Sequence, residues 1–298
     1  MTTPIELADL QHQLGTVLIG AGTLVTIRTI EGLGQPPLRT ADVEPPGEDG
    51  LWLAADYYSG RTLRIDAAIK KAGDFTGVLD QLAALQADAD TAAVRGQGGT
   101  TMNLRLKFPG RPTRVVRGRL RKLDADVTQG IHGYIPLDVE FQGQDHLYYA
   151  DTPDTTSMPL GSLTEGGMTF PLLFPFDIAG EASAIARPGY LQVTGTAATW
   201  PVLRVNGPCA NPTINHVTSG RSITVQTTLA AGEWVEIDTR PGWRTVLREN
   251  GGGAPLAPTS RIDQFQLTPG LNEIRWNATD PTLTSTLAVT WWPAYKAL

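Results

Sequence analysis

The stretch SITVQTTLAAGEWVEIDTRPGWRTVLRENGG, residues 222–252, decides the fold class of this chain. Apolar and polar residues alternate along it, and short turns interrupt the alternation. The residues that share one side of its extended segments are Ile223, Val225, Thr227 and Leu229, then Val235 and Ile237. Such alternation predicts half-buried β-strands, each with one face toward a core and one toward water.

The same alternation extends over the region from about residue 190 to the C-terminus. Strand-like segments follow one another there at the spacing of about 8–12 residues that is typical of β-sandwiches. Near the end, Leu287, Val289 and Trp291 again share one side. Since every strand has one apolar face, the sequence predicts two antiparallel sheets packed face to face.

The N-terminal half combines strands with a single long helix. Residues 16–30 alternate around a Gly-Ala-Gly turn and predict a two-stranded hairpin, whereas the two Pro-Pro pairs within residues 31–50 predict a long irregular loop. Residues 51–58 and 61–70 predict two further strands. Apolar residues at spacings of three and four predict an amphipathic helix over 74–90, with Asp74 as its N-cap. The fold class expected is therefore mainly β, with an N-terminal β-sandwich-like domain that carries one helix.

The length of 298 residues suits two domains better than one. Residues 151–165 are rich in Thr, Ser, Asp and Pro, which is a composition typical of linkers. We therefore expect an N-terminal domain over residues 1–150, a linker over 151–165 and a C-terminal antiparallel β-sandwich over 166–298.

Composition excludes several classes of protein. The net charge is −6, and both halves of the chain are acidic, which disfavours a nucleic-acid-binding module. The single cysteine, Cys209, excludes an internal disulfide and suits folding in a reducing cytoplasm. No apolar run is long enough for a membrane-spanning helix, and the N-terminus lacks the features of a signal peptide.

No motif in the sequence predicts catalysis. There is no G-x-S-x-G elbow, no phosphate-binding loop, and no pair among the four histidines at metal-ligand spacing. Cys209 follows a Gly-Pro turn and is best interpreted as a small buried apolar residue. We therefore expect no enzyme activity, no catalytic residue, no cofactor and no metal site, although carboxylates paired only by the fold stay possible.

The most pronounced charge feature is residues 105–122, which contain eight cations and no acid. The candidate interface residues are Arg105, Lys107, Arg117, Arg119 and Arg121. In extended strands, Arg105 and Lys107 share one face, and so do Arg117, Arg119 and Arg121. Three interpretations compete: a solvated sheet face, a subunit contact with carboxylates such as those of residues 42–49 on a neighbour, and nucleic-acid binding. The third is disfavoured because no exposed aromatic residues alternate with the cations.

Six of the seven tryptophans lie in the C-terminal half. Trp234 and Trp292 are out of phase with their apolar neighbours, which makes them the candidates for exposed positions. An exposed tryptophan on a β-sandwich can stack on a sugar ring, whereas a buried one fills the core or an interface. Both interpretations stay open at this point.

The order of several motifs resembles the distal tail proteins of long-tailed, non-contractile bacteriophages. The first is GTVLIGAGTLVTIRTIEGLGQPPLRTADVEPPGEDG, which leads into YYSGRTLRIDAAI. The second is YIPLDVEFQGQDHLYY, in which Gln144-Asp145-His146 lacks the proline that the family has there. The third begins at NPTINHV and includes EIDT, an Asn-Gly turn and LTPGLNEIRW in the family's order. The resemblance covers most of the chain.

The resemblance implies a structural virion protein of the siphovirus tail tip or baseplate. It implies a galectin-like jelly roll as the C-terminal domain and a homohexameric ring built by the N-terminal domain. The ring joins the tail tube protein to the tail hub and the host-recognition apparatus, after synthesis in the cytoplasm of the host bacterium. The alternative is a carbohydrate-binding module on a structural scaffold, which contributes to adsorption to the host surface. Neither hypothesis requires nucleic-acid binding, membrane insertion or a cofactor.

Overall fold

The computed structural model describes residues 5–160 and 189–298. The chain divides into two compact units, of which the first contains Met1–Asp151 together with Tyr295–Leu298 and the second contains Thr152–Ala294. Both units are built on antiparallel sheets. The mainly-β prediction is confirmed.

The first unit is built around one large antiparallel sheet. Its strands, together with two that lie outside that sheet (β4 and β5), are β1 (Gln11–Leu14), β2 (Val17–Gly20), β3 (Val25–Glu31), β4 (Leu38–Arg39), β5 (Tyr57–Tyr58), β6 (Thr62–Lys70), β7 (Met102–Leu106), β8 (Arg114–Ala125), β9 (Tyr134–Gly143) and β10 (Tyr148–Ala150). Seven strands follow in the order β2-β1-β7-β8-β9-β6-β3, and β10 joins by pairing with β8. A 3-10 segment, Val127–His132, connects β8 to β9.

The predicted amphipathic helix is confirmed as α1 (Phe75–Ala89), and a short helix, α2 (Ala92–Arg95), follows it. Asp74 is the N-cap, because its Oδ1 accepts a hydrogen bond from the Gly77 amide at 2.7 Å. Val78, Leu82 and Leu85 form the buried side of α1 and pack into the core of the sheet. Their spacing of three and four residues explains why the sequence alone located this helix.

The predicted hairpin over residues 16–30 is wrong. β2 pairs with β1, with His12 opposite Ile19, while β3 pairs with β6, with Ile27 opposite Ala67. Both strands and the turn between them are present, but each strand pairs with a different strand of the sheet. Alternation identifies strands, whereas pairing depends on which other strands offer a matching apolar face.

The loop after β3 is more regular than predicted. β4 pairs with β5, and beyond them Val43 and Trp52 exchange two backbone hydrogen bonds of 3.0 and 2.9 Å. Residues 35–58 therefore form an ordered two-limbed excursion, which we call the arm. The strand expected over residues 51–58 is reduced to β5 and the single bridge at Trp52.

The second unit is a β-sandwich. Its strands are β11 (Asp154–Pro159), β12 (Tyr190–Val193), β13 (Val202–Asn206), β14 (Cys209–His216), β15 (Arg221–Thr224), β16 (Thr228–Leu229), β17 (Trp234–Asp238), β18 (Thr245–Arg248), β19 (Gly270–Thr279) and β20 (Thr286–Trp291). The last strand of the chain, β21 (Ala294–Tyr295), includes the last residue of the second unit and a residue of the first. One sheet has the order β11-β20-β13-β17-β18 and the other β12-β19-β14-β15, with β16 paired to β14.

The apolar positions that alternate in the sequence form the core of this sandwich. The buried residues include Leu203, Ile214, Ile223, Val235, Ile237, Ile274, Leu287, Val289 and Trp291, which come from both sheets. Cys209 is also buried there, and burial raises the pKa of its thiol to about 11, which favours the protonated thiol at neutral pH.

Part of the predicted linker is regular structure. Within residues 151–165, β11 pairs along its whole length with β20, and Met158 lies buried in the sandwich core. Its sequence, DTTSMP, has the composition of a linker but pairs as an edge strand, where one polar face remains in water. Residues 161–188, which include the rest of the predicted linker and the start of the predicted C-terminal domain, lie outside the described residues.

Candidate protein-interaction surfaces

The arm carries large apolar side chains into solvent. Trp52 is 65% exposed and Leu53 is 80% exposed. The other exposed apolar residues of the arm are Leu38, Val43, Leu51, Tyr57 and Tyr58. Not one residue of the arm is buried, although its backbone is hydrogen-bonded. A concentration of exposed apolar side chains on a hydrogen-bonded element makes the arm a candidate protein-interaction surface.

The arm also carries carboxylates. Asp42 is used internally, since its Oδ1 accepts a hydrogen bond from the Ala54 amide at 2.9 Å. Glu44, Glu48 and Asp49 are exposed, and none of the ion pairs in the described part of the chain involves them. These three carboxylates are therefore available to a cationic surface.

The candidate cations of β8 differ in their surroundings. Arg117 is half-buried, with its guanidinium 4.5 Å from the centre of the Tyr149 ring. Arg119 donates to the backbone carbonyl oxygens of Gln97 and Thr100, the latter at 2.8 Å. Arg121 lies in a β-bulge between Leu120 and Lys122 and is exposed. The bulge changes the side on which residues project, so the three arginines do not form the single regular row that the sequence predicted.

The structure places Arg105 inside the first unit rather than on a surface. Its side chain is almost fully buried, and its Nε and Nη2 bind the two carboxylate oxygens of Asp151 at 2.7 and 2.5 Å. Nη2 also donates to the Ile5 carbonyl oxygen, and Nη1 donates to Gln13. The neighbouring Lys107 is half-buried and donates to the Arg111 carbonyl oxygen at 2.8 Å. Arg105 therefore lies outside any exposed cationic face.

The two tryptophans proposed for sugar stacking are half-buried, and a guanidinium faces each ring. Arg204 lies 4.1 Å from the ring centre of Trp234, and Arg240 lies 5.1 Å from that of Trp292. Arg240 is held by a bidentate ion pair with Asp238. These cation–π contacts occupy one ring face of each tryptophan, and a sugar stacked there has to displace an arginine.

Within residues 5–160 and 189–298, no cluster of histidine, cysteine and acidic side chains has the arrangement of a metal site. Nor does any helix in that part of the chain combine the length and the apolar character that a membrane crossing requires. His216, the histidine on β14, is fully buried between Asn272 and Ser219, with ring-nitrogen distances of 3.1 and 2.7 Å.

Sequence reasoning missed the residues that best define a contact surface. Trp52 and Leu53 lie in the apolar run LWL, which alternation assigned to an ordinary strand. The available signal was its position directly after an acidic segment with two Pro-Pro pairs, where a buried strand is out of place. Arg61, described below, has no sequence signal at all.

Residues 194–295 match a protein-family model, SPP1_Dit, described as the siphovirus-type tail component, C-terminal domain. A search of curated protein sequences finds no match. The resemblance deduced from the motifs is therefore confirmed for the C-terminal unit.

Solved structures share the fold over most of the chain. The crystal structure of SPP1 Dit (gp 19.1), described as a paradigm of the hub adsorption apparatus in phages that infect Gram-positive bacteria, aligns with a TM-score of 0.54 at 17% identity, covering 90% of this chain and 93% of that chain. A chain of the phage P2 baseplate in its activated conformation with Ca aligns with a TM-score of 0.54 at 12% identity, covering 94% and 97%. At these identities the alignments show a shared fold.

Proposed function

We propose that this chain, whose residues 194–295 match the siphovirus-type tail component family, is a distal tail protein. It is a structural component of the virion tail tip, in which copies of the first unit form a ring that joins the tail tube to the hub. The observation that supports this most strongly is the structural alignment, which runs over nearly the whole length of both this chain and a phage hub protein. The six-fold symmetry and the galectin-like character of the second unit come with the family resemblance.

The arm supplies what a ring contact needs. A ring forms when one surface of each copy binds a different surface of the next copy, and when the rotation closes. Burying Trp52 and Leu53 against a neighbour contributes about 1.5–3 kcal/mol for each side chain. The arm is exposed and ordered, so it can reach a second copy without distorting the sheet from which it leaves.

Charge complementarity supports β8 as the surface that receives the arm. The arm offers Glu44, Glu48 and Asp49, whereas Arg119 binds only backbone carbonyls and Arg121 has no carboxylate partner within the described residues. Opposite charges on two surfaces of the same chain favour head-to-tail contact and accelerate association. A contact of this kind has no catalytic requirement, and we expect the protein to act through binding to other proteins without turning over a substrate.

Replacing Trp52 and Leu53 together by serine is expected to raise the dissociation constant for self-association at least about 100-fold, because the apolar contact area of the arm is lost. Mass photometry over a concentration series measures the effect. The matched control is Val217→Ser with Leu283→Ser, which removes two exposed apolar side chains from the second unit. A wild-type chain that stays monomeric at high concentration, and that binds neither tail tube nor hub protein, contradicts the proposed function.

Arg121→Glu tests the cationic partner of the arm. We expect association to weaken about 10-fold at low salt and less at high salt, since exposed charges are screened. Arg121 is a better choice than Arg119, whose loss also removes the bonds that tie residues 97–100 to β8. Arg221→Glu, an exposed charge reversal in the second unit, is the control. Equal effects of both reversals mean that only net charge matters and that β8 is merely solvated.

A further inference from the structure

The arm leaves and rejoins the first unit at a narrow neck, where Arg61 lies. Arg61 is one of the largest fully buried side chains in the described part of the protein, at 1% exposure. Its Nη1 donates to the carbonyl oxygens of Gly32 at 2.8 Å and Gly34 at 2.6 Å, and its Nη2 donates to that of His146 at 3.1 Å. One guanidinium thus joins the segment that leads into the arm, the segment that follows the arm and bears Arg61 itself, and the segment before β10.

Other contacts at the neck hold the same three segments. The Tyr148 hydroxyl donates to the Leu33 carbonyl oxygen at 3.0 Å, and its ring lies 4.4 Å beneath the Arg61 guanidinium. On the returning limb, the Tyr58 ring stacks on His146 with 4.6 Å between ring centres. We call Leu33, Tyr58, Arg61, His146 and Tyr148 the neck cluster.

The backbone at the neck leaves little freedom for a different path. Gly32 has φ of +86°, and a Cβ atom added there lies 2.0 Å from the carbonyl oxygen of Thr62. Only glycine fits where the segment leading into the arm approaches β6 this closely. The carbonyl of Gly32, fixed in this way, is one of the three that Arg61 binds.

Burying a guanidinium to bind three carbonyl groups carries a desolvation cost. Within the described residues its nitrogens make no hydrogen bond to a carboxylate, and its Nε has no partner. Burial lowers the pKa of Arg61, because desolvation disfavours the charged form of the guanidinium. An apolar side chain of similar volume often stabilises a fold as well as a buried ion does. The advantage of arginine here is geometric, because its planar fork can bind carbonyls of separate segments at once.

Order in the arm matters for binding. Fixing a free backbone costs about 1–2 kcal/mol per residue in conformational entropy. If the arm becomes ordered only on contact, this cost reduces the net free energy of binding. An arm fixed at its neck meets most of the cost when the monomer folds.

We propose that Arg61 is a positioning residue that fixes the direction and order of the arm before any partner binds. The arm docks as a preformed element, and the neck cluster is the device that presents it. What the arm docks onto rests on the proposed function, but its fixation by Arg61 is a property of the isolated chain.

Hydrogen exchange on the full-length chain at a concentration where it is monomeric tests the proposal directly. In Arg61→Met, the hydrogen-bonded amides of Val43, Trp52, Ala54 and Ser59 are expected to exchange at least about 10-fold faster, because their protection depends on the neck. Amides of β6 and β9 away from the neck keep their rates.

Arg61→Lys retains the charge but not the fork, and we expect it to behave like Arg61→Met. Arg28→Met, which removes an exposed arginine, is the control and leaves the arm unchanged.

Unchanged exchange in the arm of a folded Arg61→Met protein overturns the proposal, whatever its state of association. If the arm exchanges faster while association is unaffected, the role of Arg61 stands and the use of the arm in the ring fails. If Arg61→Met does not fold, Arg61→Lys and Tyr148→Phe provide the test, since the second removes only the bond to Leu33. Slow exchange in the arm of both variants then rejects the role of Arg61.

Discussion

Arg105→Met should reduce the free energy of unfolding of the first unit by about 3–5 kcal/mol, the typical cost of removing one partner from a buried ion pair. Arg105 and Asp151 are bound through two hydrogen bonds of 2.5 and 2.7 Å, and both side chains are largely shielded from water. Methionine matches the volume of arginine but leaves the Asp151 carboxylate shielded without a cation. Gln13 and the Ile5 carbonyl oxygen lose their donors as well.

The double variant Arg105→Met, Asp151→Leu should recover much of this loss, because it removes the stranded charge. Hydrogen exchange of β7 and β8 amides in urea measures the stability of the first unit. Tryptophan fluorescence is unsuitable, since Trp52 is the only tryptophan in residues 1–151 and is already exposed. Arg111→Met, at an exposed arginine, is the control. A stable Arg105→Met protein that nevertheless fails to associate argues instead for the interface role that the sequence suggested.

His12 should make the first unit less stable in mild acid. It is 3% exposed, its Nδ1 accepts a hydrogen bond from the Lys107 amide at 3.1 Å, and burial lowers its pKa to about 4. The unfolded chain has the ordinary pKa of 6.5, so below that value the unfolded state binds more protons than the folded state. The contribution of neutral His12 to the free energy of unfolding is therefore fully present above about pH 6.5. It is lost as the pH falls toward 4, and the total loss is about 3 kcal/mol.

NMR titration of the His12 ring protons measures the folded pKa, and unfolding in urea at pH 7 and pH 4.5 measures the linked stability. His12→Gln should lose this share of the pH dependence, while His132→Gln, at an exposed position, should retain it. Burial also lowers the pKa values of His146 and His216, which remain in both variants, so the difference between variant and wild type isolates His12. A His12 signal that titrates near 6.5 in the folded protein contradicts the expectation.

The sequence was most informative where structure depends on neighbours along the chain. The spacing of Val78, Leu82 and Leu85 located α1, and Asp74 marked its start. Alternation identified the strands of the second unit and the core positions within them, such as Val235 and Ile237. The order of the motifs indicated the resemblance to phage distal tail proteins, and a siphovirus-type tail component model matches residues 194–295.

Contacts between distant segments escaped the same reasoning. β2 and β3 were both expected, but their partners, β1 and β6, depend on how the whole sheet assembles. Arg105 resembles its neighbours in the basic segment of the sequence, but its side chain is buried against Asp151, which lies 46 residues away in the chain. The apolar run LWL by itself does not distinguish an exposed Trp52 from a buried one, and the signal for exposure is its position after the acidic segment with two Pro-Pro pairs.

The sequence by itself determined that this protein is built of sheets with one long helix, and that its C-terminal part is a sandwich. Periodicity carries that information, since each residue's face follows from its position in a local repeat. Only the tertiary structure decided which apolar side chains stay in water, which arginines pair internally, and how Arg61 holds the arm. Those outcomes depend on residues far apart in the chain meeting in space, and no local pattern encodes such a meeting.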